Sequence, residues 1–362
     1  MSDTLSDALS DAQTPPPEDD ASTIPVTIIT GFLGAGKTTL LNGILQDERF
    51  KTSLVLVNEF GEVGIDHLLI ENLTDDVVLL KSGCVCCSLR GEMAVVLLDL
   101  AAQRDADLLP PFDHVILETT GLADPAPIMQ ILMTDPLLQE SYHLGRVVTV
   151  VDCVHGSRTL ESHKECLHQA AMADCLLISK SDLATECKLN ALENRLNQLN
   201  PGADIFVPVA GRIDPQMVLG DGRVDVGRSL LAPEQEHVSH DHHHDHDNAD
   251  QHGHNHHDHH HQDGVGIQTF LVPFDRPPLR ASLMDALEEL GRVHGDKLLR
   301  FKGLVQFEGE ANPTLLQGVQ ELMHPPVALT AWPEGVRQSG LVFIVDGLAS
   351  SIARDVLTAA AQ

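Results

Sequence analysis

One run constrains this chain more than any other: Gly31, Phe32, Leu33, Gly34, Ala35, Gly36, Lys37 and Thr38. It satisfies the pattern G-x4-G-K-[ST], follows the apolar run 26–30 directly, and opens a helical pattern over 37–46. That strand–loop–helix setting is what makes the spacing a phosphate-binding loop. The glycines let the backbone curl so that successive N–H groups point at phosphate oxygens. The helix N-terminus adds a favourable dipole. Lys37 is the cation for the β- and γ-phosphates and a catalytic residue, the Thr38 hydroxyl is a Mg²⁺ ligand, and Thr39 completes the cradle.

The surrounding texture fits. Apolar runs at 26–30, 54–58, 77–80, 115–118, 147–152, 176–179 and 205–209 alternate with helical stretches at 37–46, 92–103 and 188–199. This alternation predicts an α/β domain, a P-loop NTPase fold with a mostly parallel sheet covered on both faces. At 362 residues the chain has room for two domains. The reading assigns 1–22 to a disordered acidic tail, 23–225 to the nucleotide domain, 226–265 to a His-rich mobile linker, and 266–362 to a smaller α+β domain. The tail carries six acidic and no basic residues. Residues 234–264 hold 13 of the 21 histidines, eight acidic residues and no Lys or Arg. Such a tract cannot bury a core, but holds metals weakly in many arrangements. A solubilising linker is the competing reading.

Two further elements extend the nucleotide site. The apolar strand 115–118 ends in Glu118 and runs into Thr119, Thr120 and Gly121. An acid there serves as the second catalytic group near Mg²⁺ and the γ-phosphate. The run 176–178 leads into Ser179, Lys180, Ser181 and Asp182, an [N/S]-K-x-D pattern. The Asp182 carboxylate can accept from the N1–H and 2-amino group of guanine, a donor pair that adenine lacks. The competing reading makes Asp182 an ordinary helix cap.

Cys84, Cys86 and Cys87 put three thiols in four residues. Such a soft, anionic site suits Zn²⁺ and also accommodates Co²⁺ or Cu⁺. Three ligands leave one position for an exchangeable group, which suits delivery. Buried cysteines or a regulatory disulfide are the alternatives. The acid-bearing stretch 58–66 contributes Glu59 as a candidate catalytic group. Cys153, Cys166, Cys175 and Cys187 are scattered and read as core or incidental.

Composition closes off several classes. Lys and Arg number 23 against 53 Asp and Glu, a net charge of −30, which repels nucleic-acid backbones. Aromatics are 3%, too few for a base-stacking surface. No membrane partner is expected, because no run of 18 apolar residues is present. Asp3, Asp7 and Asp11 replace the basic segment that a secretory signal needs, so the expected location is cytoplasmic. Monomer and dimer both stay open.

The sequence resembles the CobW family of P-loop GTPases, kin to the nickel chaperones UreG and HypB. The matching pieces are TGFLGAGKTT at 30–39, NEFGEVGID at 58–66, SGCVCC at 82–87, ETTGLAD at 118–124, VVD at 150–152 and 179–182. DKLLRFKG at 296–303, the 317–320 region, Trp332 and 341–344 resemble its C-terminal domain. The resemblance implies GTP hydrolysis, with GDP as product, coupled to insertion of a divalent metal into client metalloenzymes. That metal is most often zinc and sometimes cobalt. It also implies that Cys84, Cys86 and Cys87 are the metal ligands. Ser179 stands where Asn is commoner, and the tail lacks the Cys-Pro-x-Leu-Val-Pro motif of eukaryotic zinc-transfer members. A passive metal buffer and a small-molecule P-loop kinase or ATPase are the rival readings.

Overall fold

Every residue of the strand that ends in Glu118 is buried, and the strand leading into the glycine loop is buried at all but one position. Strands covered on both faces belong inside a parallel sheet. The computed structural model describes residues 23–58, 77–80, 89–208, 212–220, 266–333, 336 and 338–360. The first domain contains β1 (Ile24–Thr30), α1 (Lys37–Leu45), β2 (Ser53–Asn58), β3 (Val77–Leu80), α2 (Leu89–Asp105), β4 (His114–Glu118), α3 (Ala126–Thr134) and α4 (Pro136–Gln139). It continues with β5 (Tyr142–Asp152), α5 (Gly156–Ser162), α6 (Lys164–Met172), β6 (Cys175–Ser179), α7 (Glu186–Leu199), β7 (Asp204–Phe206) and α8 (Pro215–Leu219). Its seven strands run in the order β3-β2-β4-β1-β5-β6-β7, all parallel.

This order places the site. β1 lies between β4 and β5, so its C-terminal end is where the connections diverge to either side. Ligands of open α/β sheets bind at such a point. The register aligns Ile29 with Glu118, Thr30 with Thr149, and Asp152 with Ser179. The chemistry-bearing strand ends therefore share one edge.

The second domain contains β8 (Ile267–Pro273), α9 (Arg280–His294), β9 (Leu298–Val305), β10 (Thr314–Val319), β11 (Leu322–Met323), β12 (Val327–Ala328), β13 (Gly340–Asp346) and α10 (Ser350–Ala360). Its antiparallel sheet has the order β11-β10-β9-β13-β8, with β12 also on β10. Leu283, Leu287, Leu290, Ala353 and Leu357 of α9 and α10 pack with Phe301, Phe343 and Val345 of the sheet. The opposite side joins the first domain. Leu299, Val319 and Ile344 belong to the same apolar cluster as Ile24, Leu132 and Met172.

The elements depart from the sequence reading where apolar runs mislead. β5 begins at Tyr142, ahead of the apolar run at 147, because pairing of Ile24 with Tyr142 and Val26 with Leu144 carries it through polar positions. Gly145 fits there because a Cβ would stand 3.1 Å from Thr27 Oγ1. β7 stops at Phe206, short of the expected 209. The reading did not place α10, whose apolar positions show only through helical periodicity.

Candidate functional site

The glycine loop folds as its spacing requires. Gly31, Gly34 and Gly36 have φ of 134°, 71° and 102°, a region L side chains rarely enter. At Gly31 a Cβ would stand 2.3 Å from Val150 O, so β5 passes directly against the loop. The Phe32 ring lies 4.5 Å from that of His163, tilted by 36°, while Leu33 and Gly34 are exposed and Ala35 is buried. Lys37 is buried at the head of α1 and donates to Gly31 O at 2.8 Å and Phe32 O at 3.2 Å. Its ammonium thus lies inside the curl of the loop. Thr39 is exposed on the first turn.

Glu118 comes to the same place from β4. Thr38 Oγ1 donates to Glu118 Oε1 at 3.1 Å, and Glu118 is only 6% exposed. The following loop is anchored on β1: Thr119 N donates to Ile29 O at 2.9 Å, and Thr119 Oγ1 donates to Thr30 Oγ1 at 2.8 Å. Gly121 packs on the glycine loop so closely that a Cβ would meet Leu33 N at 2.5 Å.

The third side is β6. Ser179 Oγ donates to Ala35 O at 2.6 Å, so the residue that stands in for Asn ties the strand end to the glycine loop. Lys180, in the left-handed region at φ 54°, donates to Gly34 O at 2.7 Å and pairs with Asp152 at 2.6 Å. Asp152 also accepts from the N–H groups of Val154 and His155. Burial would raise its carboxyl, but Lys180 and these N–H groups outweigh that and hold it below the usual carboxylate range. Asp182 lies in the short helical turn Ser181–Leu183 with its side chain exposed.

Asp152 is the residue that sequence reasoning left out of the site. Its signal was an acid closing a buried strand, the same signal that pointed to Glu118. Glu59, Cys84, Cys86, Cys87 and the His-rich tract lie outside the described residues. Among the described residues, no group of three or more His, Cys, Asp or Glu is placed to hold a metal ion. Cys153, Cys166 and Cys175 are buried, and burial pushes the Cys166 and Cys175 thiols up to about 12, so they are poor ligands and nucleophiles. Cys187 is exposed on α7. No helix among the described residues is long and apolar enough to cross a membrane.

Comparison with known proteins agrees with this geometry. Residues 25–207 match the CobW/HypB/UreG nucleotide-binding domain, and residues 267–361 match the cobalamin synthesis protein cobW C-terminal domain. The chain belongs to the CobW/HypB/UreG family. It is 34% identical to the zinc chaperone YjiA of Escherichia coli, over 83% of this chain and 87% of that protein. It is 34% identical to the zinc chaperone CobW of Pseudomonas aeruginosa, over 82% of this chain and 80% of that one. A zinc-regulated GTPase metalloprotein activator of Schizosaccharomyces pombe is 35% identical over 53% of this chain and 47% of its own length. The crystal structure of Zn(II)-bound YjiA GTPase from E. coli superposes with a TM-score of 0.70 at 28% identity, covering 94% of this chain and 99% of that one. The family fold thus includes both the parallel nucleotide-binding sheet and the separate antiparallel domain.

Proposed function

We propose that this protein is a GTP-hydrolysing metal chaperone that carries zinc and passes it to a client metalloprotein. The observation that carries the GTPase half is the Thr38–Glu118 contact at 3.1 Å, beside the buried Lys37. A hydroxyl and a buried carboxylate meet at the head of the loop helix, and such hard oxygen donors suit Mg²⁺. When bound, Mg²⁺ supplies positive charge between the β- and γ-phosphates.

The chain's own residues do the rest. The N–H groups of residues 31–39 cradle the phosphates, and Lys37 places its ammonium against the β- and γ-oxygens. Ser179 and Lys180 brace the loop from β6, and Asp182 reads guanine. Glu118 and Glu59 are the acids at the reacting end. Cys84, Cys86 and Cys87 hold the cargo as thiolates, with zinc preferred and cobalt accommodated. The names of the relatives support zinc as the cargo. In this reading the nucleotide domain spans 23–225, the His-rich linker 226–265 acts as a loading arm, the C-terminal domain spans 266–362, and the protein works in the cytoplasm.

The test is hydrolysis of GTP and ATP with and without Zn²⁺, run beside Lys37→Ala and a variant with Cys84, Cys86 and Cys87 all changed to Ala. GTP should be turned over in preference to ATP, and Lys37→Ala should abolish turnover. Zinc should change the wild-type rate but not that of the cysteine variant. Equal use of ATP would favour a kinase or ATPase. Turnover indifferent to zinc would favour a passive buffer.

A further inference from the structure

We infer that Gln169 is a positioning residue for GTP hydrolysis, holding the loop after Glu118 in its working place; the inference rests on the GTPase reading above. Gln169 lies on α6, is fully buried, and belongs to none of the motifs that define the nucleotide site. Its Nε2 donates to Ala123 O at 2.9 Å and to Gly121 O at 3.4 Å. One amide thus holds two carbonyls of the loop. The reverse amide orientation would set its oxygen against both of them.

The rest of the loop explains why a tie is needed there. Thr119 is fixed to β1, and Asp124 caps the start of α3 by accepting from Ala126 N at 2.9 Å. Between these anchors the chain makes a single turn, closed by Ala123 N donating to Thr120 O at 3.1 Å. Gly121, at the apex, presses on Leu33 of the phosphate loop. In a trans peptide the N–H points opposite to the C=O. Fixing the carbonyls of Gly121 and Ala123 toward α6 therefore fixes the direction of the Leu122 and Asp124 N–H groups.

The base beneath Gln169 is rigid. Thr149 Oγ1 of β5 donates to Gln169 O at 2.7 Å. Asn200 Nδ2 donates to Ala170 O at 2.9 Å, Ala171 O at 3.0 Å and Ala173 O at 2.9 Å. Arg300 of the second domain donates to Met172 O. A group that must hold another in place needs such support.

On the same Gln169 side chain, Oε1 is buried with no hydrogen-bond partner among the described residues. A leucine or methionine would avoid that orphaned acceptor but would leave the carbonyls of Gly121 and Ala123 without this donor. The donor is what glutamine supplies at this position.

The experiment compares wild type with Gln169→Met and Gln169→Glu, measuring kcat and KM for GTP with Mg²⁺ from pH 6 to 8, and the thermal midpoint of each protein. Gln169→Met keeps the length and removes the donor. It should lower kcat roughly tenfold or more, the scale of a misplaced reacting geometry. KM should change far less than kcat, within about twofold, since Gln169 makes no hydrogen bond to the phosphate loop itself. The carboxyl introduced by Gln169→Glu would have its pKa raised by burial. Protonated, it can donate to Ala123 O; ionised, it faces two carbonyls. Relative to wild type, kcat of Gln169→Glu should therefore recover as pH falls, and Gln169→Met should show no recovery. A purely structural role would not produce that pH profile. Wild-type kcat in both variants, a loss confined to KM, or failure of both to fold would overturn the assignment and leave the GTPase reading standing. Absence of GTP hydrolysis by the wild type would overturn the GTPase reading itself.

Discussion

Arg300 of the C-terminal domain pairs with Asp174 of the nucleotide domain, at the turn between α6 and β6, and donates to Met172 O as well. Both side chains are nearly buried, at 8% and 15% exposure. Asp174 also accepts from Val147 N at 3.0 Å, at the point where β5 enters the core. Burial would raise the Asp174 carboxyl, but Arg300, Lys302 and the Val147 N–H together hold it below its usual range. The domain junction thus holds a nearly buried ion pair within a cluster of charges that includes Lys302, Arg146 and Asp204, one strand length from the nucleotide site.

Removing one partner should be costly. Arg300→Met leaves Asp174 buried without its hydrogen-bonded cation and should lower unfolding free energy by about 3–5 kcal/mol. Replacing both, with Arg300→Met and Asp174→Leu, should cost less than the single change, since the Asp174 carboxylate is no longer left without the guanidinium. Urea titrations of the three proteins check this. A double variant weaker than the single one would contradict it.

Lys302 adds a pH signature to the same junction. Burial is the main cause that pushes its ammonium down to about 8, with Arg300 and Arg146 adding to it and Asp174 and Asp204 opposing. The unfolded chain keeps Lys near its ordinary value of about 10.4. Between these two values the unfolded state binds more protons, so this group's contribution to stability rises with pH. Below pH 8 the full cost of burying the charge is present. The difference in thermal midpoint between wild type and Lys302→Met should therefore move in favour of wild type as pH rises from 8 to 10. A difference that stays flat with pH would remove Lys302 from this role.

These relationships separate what could be read from the residue order from what could not. The glycine loop was legible because its parts are neighbours in sequence and each glycine has a backbone reason. Glu118 and Ser179 were legible because each closes an apolar strand run. Gln169 was invisible, since its partners lie 46 and 48 positions away on a loop whose path only the fold determines. The Arg300–Asp174 pair spans 126 positions and two domains. His114 carries no signal of its setting in the residue order. It is buried against Thr27 Oγ1 at 2.9 Å, and burial pushes it down to about 4.

The glycine loop should tolerate no side chain at its first position. In Gly31→Ala the new methyl would meet Val150 O at 2.3 Å, with φ at 134°. Backbone atoms on both sides cannot swing away as a side-chain end would. GTP binding should be lost while the far domain keeps its fold. Isothermal titration with GTP, alongside near-UV circular dichroism of Trp332, would read both. Gly34→Ala should be milder, because open space surrounds that Cβ and only the left-handed backbone resists. Equal loss in the two variants would mean that conformation, not the close approach of β5, sets the requirement.

Base selection should rest on Asp182, with a size set by its exposure. Asp182→Ala should weaken GTP and leave ATP nearly unchanged, because adenine lacks the donor pair a carboxylate accepts. A hydrogen bond to a charged group contributes about 1.5–3 kcal/mol. Asp182 is exposed on its turn, so water can reach the abandoned guanine edge and the loss should fall at the lower end of that range. The neighbouring Ser179 makes a different prediction. Its hydroxyl ties β6 to Ala35 O at 2.6 Å, so Ser179→Ala should weaken GTP and ATP alike through the phosphate loop. Competition binding of both nucleotides to the two variants separates these roles. A Ser179→Ala effect confined to GTP would move base recognition from Asp182 to Ser179, and equal affinity of the wild type for both nucleotides would remove guanine selectivity from this turn altogether.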